Sequence, residues 1–365
     1  FPDYNIGSRP VSQGRHALQE LFLNDERDRD NTYGFRFFTT IEIIDGLNLR
    51  VNYARDINEG LEKEYENAII GDAQPDGRYS EDRFRRQVEN FNQILTYTKS
   101  FDEAHNLDIT LGHESYDRTF SSNGGLATVQ AANGIFEFDN FSNIVDLEGS
   151  STRKAIESYF GRVNYNFDNK YYLSGSFRRD GSSVFQKDVR WGNFYSVGAS
   201  WRLDQEQFIK DIPFIDQLKI RGSYGEVGSD ALGTTTGGVF SEDFFLSQAR
   251  FSITSNAADP AIIFTDIGNP LLQWETIENF DIALEFTLFD NFLDGSIEYY
   301  KRNSSDLLYQ LPIAPSNGLN IVPTNIGDMF NSGWEIGLTG HLLNTADFNW
   351  DLTLQASTFK NEITS

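Results

Sequence analysis

Cysteine is absent from all 365 residues, so neither a disulfide framework nor a thiolate metal site can organise this chain. Histidine is scarce. His16, His105, His113 and His341 are scattered, with no pair at metal-ligand spacing, so no metal and no cofactor are expected. No run of 18 apolar residues occurs, which excludes a membrane-spanning helix. Positive charge is in deficit: 30 Lys and Arg face 54 Asp and Glu, a net charge of −24, which argues against a nucleic-acid partner. Solvated acidic loops account for most of that excess. No nucleophile elbow, phosphate-binding loop or dinucleotide fingerprint is present, and no carboxylate pair singles itself out, so an enzyme is not expected. A signal peptide is missing too. Phe1-Pro2-Asp3 and the closing Lys360-Asn361-Glu362-Ile363-Thr364-Ser365 read as the interior of a longer protein.

Aromatic residues, by contrast, are plentiful. They make up 14% of the chain, with 31 Phe and 16 Tyr, yet mean hydropathy is −0.45. They stand beside Asn, Asp, Gly and Ser rather than among aliphatics. Residues 156–227 explain how both can hold, because side chains alternate there as a strand with one apolar and one polar face requires. Tyr159, Gly161, Val163, Tyr165 and Phe167 oppose Phe160, Arg162, Asn164 and Asn166. Tyr171, Leu173, Gly175 and Phe177 oppose Tyr172, Ser174, Ser176 and Arg178. Tyr195, Val197, Ala199 and Trp201 oppose Ser196, Gly198, Ser200 and Arg202, and Leu218, Ile220 and Tyr224 oppose Lys219, Arg221 and Gly225. Arginines on the polar face fit a wet interior better than an ordinary core.

The same pattern gives about twelve strands. A hairpin over Asp45-Gly46 joins 34–44 to 47–57, a strong two-residue turn signal. A second pair spans 90–100 and 106–116, and the third turns at Asp168-Asn169-Lys170. Residues 276–289 and 292–301 turn at Asp290-Asn291. Trp334, Ile336, Leu338 and Leu342 line one face of a late strand, continued by Trp350, Leu352 and Leu354 after a turn near Asn344. The reading leaves 1–31, including the charge patch at 25–30, as a solvated loop, and 58–89, 117–155, 228–274 and 302–331 as long connections. Connections after odd-numbered strands are mostly short and those after even-numbered strands mostly long. Most strands are near the ~9–11 residues that cross a bilayer when tilted. Long loops at one end and short turns at the other are the layout of an outer-membrane β-barrel, whose closed sheet satisfies backbone groups that lipid cannot. The fold class is therefore all-β, an antiparallel up-and-down transmembrane β-barrel in part, with the chain as part of one barrel domain.

At this point several motifs carry a resemblance. Phe177-Arg178-Arg179-Asp180-Gly181-Ser182-Ser183-Val184-Phe185, followed by Arg190-Trp191-Gly192-Asn193-Phe194, resembles a hallmark stretch of the SusC/RagA family of TonB-dependent outer-membrane transporters. So do Leu218-Lys219-Ile220-Arg221-Gly222-Ser223-Tyr224-Gly225 and Gly268-Asn269-Pro270-Leu271-Leu272-Gln273-Trp274-Glu275-Thr276. Asn325-Ile326-Gly327-Asp328-Met329-Phe330-Asn331-Ser332-Gly333-Trp334-Glu335 looks like a further element of that family. Each alone is ordinary turn chemistry; their order and spacing together are specific. The resemblance implies a barrel of ~22 strands with a plugged lumen. It also implies TonB-energised import of oligosaccharides or peptides beneath a SusD-like surface lipoprotein. The plug domain, the TonB-contacting region and the terminal barrel strands are expected outside residues 1–365. Two rivals stay open: a passive porin-like barrel, and a soluble β-rich surface adhesin or glycan-binding module.

Candidate binding residues follow from the polar face. Arg50, Arg162, Arg178, Arg202, Arg221, Glu285, Glu298 and Glu335 would face a lumen, touching a plug or lining a substrate path. On a soluble sheet they would face solvent. Trp191 and Trp274 fall near the extracellular strand ends, where stacking on a sugar or peptide competes with interface anchoring or loop packing. Asp180-Gly181-Ser182-Ser183 reads as a tight turn rather than a binding loop.

Overall fold

A computed structural model describes residues 17–236, 239–256, 259–314, 316, 318–319 and 321–365. His16 and the first part of the expected N-terminal loop lie outside the described residues. After a short helix, α1 (Ala17–Leu23), come the long strands β1 (Asp25–Ile44), β2 (Leu47–Glu66), β3 (Arg78–Phe101), β4 (His105–Gln130) and β5 (Phe141–Phe167). Then follow β6 (Tyr171–Ser182), β7 (Trp191–Arg202), a short helix α2 (Gln207–Lys210) and β8 (Ile215–Ser229). The connection after β8 holds two hairpins, β9 (Gly233–Thr236) with β10 (Val239–Glu242) and β11 (Arg250–Asn256) with β12 (Asp259–Asp266). Next are β13 (Glu275–Leu288), β14 (Leu293–Ser305), a hairpin of β15 (Leu308–Pro312) and β16 (Ile321–Asn325), then β17 (Met329–Asn344), β18 (Asn349–Ser357) and β19 (Lys360–Ile363).

Twelve strands form one sheet in the order β1-β2-β3-β4-β5-β6-β7-β8-β13-β14-β17-β18, with β19 also on β17. The up-and-down order is the one expected. Its turn chemistry is legible residue by residue. Gly46 takes φ +78°, a conformation open to glycine, in the Asp45-Gly46 turn. Asp168 and Asn169 both take positive φ, and the Lys170 N–H donates to the Phe167 carbonyl at 3.0 Å, a two-residue turn matched to strand twist.

Several expectations need correction. The charge patch at 25–30 is not loop; it opens β1. Residues 58–89 and 117–155 are mostly strand, and the true connections shrink to 67–77 and 131–140. The reason is physical: charged and amide residues interrupt the apolar ones in these strand ends, so no regular hydrophobic alternation marks them, yet backbone pairing continues. In β17 the register shifts between His341 and Leu343, which puts Leu343, not Leu342, opposite Trp350. Asp180, Gly181 and Ser182 end β6 instead of forming a turn.

The described residues divide into two compact units, those in 17–37, 53–90 and 116–154 in one, those in 38–52, 91–115 and 155–365 in the other. The first has its own small core, where Tyr65, Tyr79, Ala127 and Phe141 are buried against Phe136 and Phe138. Lys63 donates to Glu81 at 3.1 Å beside it, and the Tyr79 hydroxyl donates to Glu81 at 2.8 Å. Burial, followed by its hydrogen bond to Glu81, pushes the Tyr79 phenol up to about 12. The second unit contains β6 to β19 and a loop core of Val184, Phe185, Leu246, Leu272 and Leu308.

Candidate functional site

Register fixes the two faces of the second unit. Tyr171, Leu173, Gly175 and Phe177 of β6 stand opposite Trp201, Ala199, Val197 and Tyr195 of β7. Val197, Ala199 and Trp201 in turn stand opposite Tyr224, Gly222 and Ile220 of β8. The row continues through Phe280 and Ile282 on β13, Tyr299 on β14, Trp334 and Ile336 on β17 and Leu354 on β18. These side chains are not core. Leu173, Val197, Phe280, Ile282, Trp334 and Leu354 are each 43–60% exposed, a contiguous apolar surface that water penalises. Aromatic pairs mark both of its ends, Tyr171–Trp201 near the short turns and Tyr195–Tyr224 and Tyr299–Trp334 toward the long connections. Lys301 and Lys360 sit over the Phe330 ring at 5.3 and 5.2 Å, beside that second aromatic row.

The opposite face is polar and knitted by ions. Arg221 on β8 reaches three carboxylates: Nε to Glu285 at 2.7 Å, one terminal nitrogen to Asp281 at 2.9 Å and the other to Glu298 at 2.6 Å. Lys219 adds a bond to Glu285 at 3.0 Å, and the Ser223 hydroxyl donates to Asp281. One guanidinium therefore ties β8, β13 and β14, with its side chain only a third exposed. Glu298 stands directly opposite Glu335 on β17. Glu335 is exposed, and among the described residues its carboxylate makes no ion pair or hydrogen bond.

The other expected residues share this face in different roles. Arg162 donates to Asn164 at 3.0 Å. Arg178 lies over the Phe160 ring at 5.2 Å and binds both oxygens of Asp180 at 2.8 and 2.9 Å. Arg202, at the end of β7, donates to Asp204 at 2.7 Å and so fastens the connector to β8. Burial raises the Asp204 carboxyl, but hydrogen bonds from Arg202, Gln205 and the Leu218 N–H outweigh it and leave it below the usual range. Arg50 donates to Asn52 and covers the Phe38 ring at 5.5 Å.

Between these groups a cavity of about 450 Å³ opens on the polar face, bounded by Thr98, Asp108, Asn164, Ser174, Ser200 and Arg221. Sequence reading missed Asp281 and Asp108 as partners there, and Lys219 as a partner of Glu285. Strand parity was the signal available, but cross-strand register is needed to say which residues meet.

The two tryptophans part company. Trp191 belongs to the apolar face, with the Arg179 guanidinium 5.1 Å from its ring centroid, so it is not among the polar-face groups. Trp274 packs in the loop core against Phe185 and Phe194 and donates to the Arg190 carbonyl at 2.8 Å. Motif residues around it are scaffolding. Asn269 donates to the Pro323 carbonyl at 3.0 Å, Asn325 bonds to Gln273 and Asp306 at 2.9 Å, and Leu272 is fully buried. Among the described residues no group of three or more His, Cys, Asp or Glu is placed to hold a metal ion. His105 meets the Tyr165 hydroxyl, and His341 sits between Asp294 and Asp351 at 2.9 and 2.8 Å.

Comparison with known proteins follows this geometry. The family model described as TonB dependent receptor-like, beta-barrel matches residues 2–364. TonB-dependent receptor P3 of Formosa agariphila is 30% identical over 345 residues, covering 93% of this chain and 33% of that protein. TonB-dependent receptor SusC of Bacteroides thetaiotaomicron is 30% identical over 278 residues, covering 75% of this chain and 27% of that protein. The RagAB peptide importer in its closed-closed state superposes with a TM-score of 0.83 at 25% identity, over 94% of this chain and 37% of that one. The chain thus spans about a third of the length of the curated relatives it matches.

Proposed function

This chain belongs to the TonB-dependent receptor-like β-barrel family, and from that premise we propose that it is the middle part of an outer-membrane nutrient importer. The observation that carries the reading is the division of the sheet from β6 to β18 into an exposed apolar face edged by aromatics and an opposite face joined by ion pairs. Lipid is the solvent that favours the first, and water the second. Backbone groups at an unpaired strand edge cannot face lipid, so further strands complete the barrel beyond β1 and β18.

In this reading the protein sits in the bacterial outer membrane, with the connections carrying β9 to β12 and β15–β16 outside and the short turns in the periplasm. The polar face surrounds the transport path. The cargo is an oligosaccharide or a peptide, captured with a SusD-like lipoprotein and admitted when TonB, acting through a region outside this chain, displaces a plug. The relatives named SusC and RagAB support this, the latter described as a peptide importer. Arg162, Arg178, Arg221, Glu298 and Glu335 would line the path or hold the plug. It is a transporter in this account, not an enzyme.

The test is to extract the full-length protein from outer membranes in mild detergent and identify the chains that come with it by mass spectrometry. Recovery with a surface lipoprotein and with plug peptides from the same polypeptide is the expected result. Membrane recovery without plug peptides would favour a passive channel, and recovery in the soluble fraction would overturn the membrane reading.

A further inference from the structure

The apolar face of the second unit is not smooth. On β5 and β6 two rows lack a side chain, because Gly161 stands opposite Phe177 and Gly175 opposite Val163. Together with Leu95, Leu111, Val163 and Phe177 they shape a groove of about 850 Å³. Its walls are aliphatic and aromatic, and its floor is backbone. A Cβ on Gly175 would meet nothing nearer than 3.9 Å, so packing of the protein itself does not require that part of the gap, whereas one on Gly161 would press on Leu111 at 3.2 Å.

The end of the groove toward the long connections is polar. Arg179 stands there on the apolar face, opposite Tyr159 and Asn193. It is exposed, and among the described residues no carboxylate pairs with it; its one partner is the Trp191 ring. Nearby, Glu157 is already engaged by His113, whose other ring nitrogen lies 2.8 Å from Gln93. Among the described residues, Arg179 thus brings to this level a positive charge that no carboxylate meets. The arginines paired above with carboxylates, Arg178, Arg202 and Arg221, are on the polar face.

An unpaired arginine at the head of an apolar trough, on the surface that meets lipid, matches one kind of occupant. We propose that this groove binds one anionic phosphate-bearing lipid of the outer leaflet, an acyl chain lying over Gly161 and Gly175 and the phosphate on Arg179. Net charge selects the headgroup: a guanidinium forms charge-assisted hydrogen bonds to phosphate oxygens, and a zwitterionic headgroup brings a cation of its own that offsets the attraction. Continuity with the membrane-facing surface supplies the chain. This inference rests on the membrane orientation proposed above.

The experiment uses the full-length protein in detergent, incubated with equimolar phosphatidylglycerol and phosphatidylcholine and read by native mass spectrometry. One phosphatidylglycerol is expected to remain bound at about tenfold preference over phosphatidylcholine, the scale of one charge-assisted contact. Excess inorganic phosphate should not displace it, because the acyl chain contributes to binding. Arg179→Gln should bring the preference to parity, and Gly175→Leu, which fills the trough, should reduce retention of both lipids. Heat-dependent gel mobility checks that each variant is folded. Equal retention of the two lipids by the wild type, or retention unchanged in both variants, would overturn the proposal while leaving the barrel intact. A protein that needs no detergent would instead sink the membrane reading itself.

Discussion

Arg221 binds three carboxylates on two other strands, and its loss would leave Asp281, Glu285 and Glu298 facing one another with only Lys219 for compensation. The guanidinium is a third exposed, so solvent screens part of that repulsion. Arg221→Ala should therefore destabilise the barrel by about 1–3 kcal/mol. Glu335→Gln, which removes a carboxylate with no partner among the described residues, should be near neutral. Urea-dependent loss of the compact gel form of the full-length protein measures both; equal effects would contradict the structural role given to Arg221. A second prediction concerns acid. Burial raises the Glu81 carboxyl, but bonds from Tyr79, Arg83 and Lys63 overcome this and hold it below its ordinary 4.5. Its contribution is present above that ordinary value and is lost as pH falls through the lowered one. Hydrogen exchange of the segment around Tyr79, corrected for intrinsic rates, should accelerate on that descent. Glu81→Gln should remove the extra acceleration.

For single elements, the legibility of the sequence depended on which solvent each face meets. β6, β7, β8 and β13 were readable because lipid on one side and water on the other impose a period of two. The outer halves of β2 to β5 were not, since Arg, Glu, Asn and Ser break the period there and the apolar residues among them, Tyr65, Tyr79, Ala127 and Phe141, close on a small local core. A consequence is checkable within β7. Val197→Arg, mid-strand on the apolar face, should cost about 2–4 kcal/mol, whereas Ser196→Arg, one residue away on the polar face, should cost far less. Urea titration of barrels refolded in liposomes distinguishes them, and similar costs would mean that the faces are wrongly assigned. The loops obey a different rule. The motifs around Asn269 and Asn325 were legible as signatures, but their work as fasteners was not, because Asn325 meets Gln273 and Asp306 across long separations. Asn325→Ala should lose about 1–3 kcal/mol of local stability. Exchange protection should fall around Gln273 and Asp306 while β6 and β7 keep theirs; unchanged protection would contradict it.

Across the whole molecule, the up-and-down order of twelve strands followed from the alternation of short and long connections, and the family followed from motifs that fasten loops. What neither could yield was the pairing of charges, since register decides whether Arg221 meets Glu298 or Glu335. Nor could Trp191 and Trp274 be told apart, because both lie beside strand ends and only the fold turns one to the apolar surface and the other into the loop core. The account's central claim is that the apolar face meets lipid while the charged face surrounds water. Nitroxide labels placed singly at positions 195–200 of the full-length protein in liposomes test this directly. Odd positions should collide preferentially with dissolved oxygen, which partitions into lipid, and even positions with a water-soluble nickel chelate. Labels that all favour the chelate, or that lack a period of two, would contradict the account.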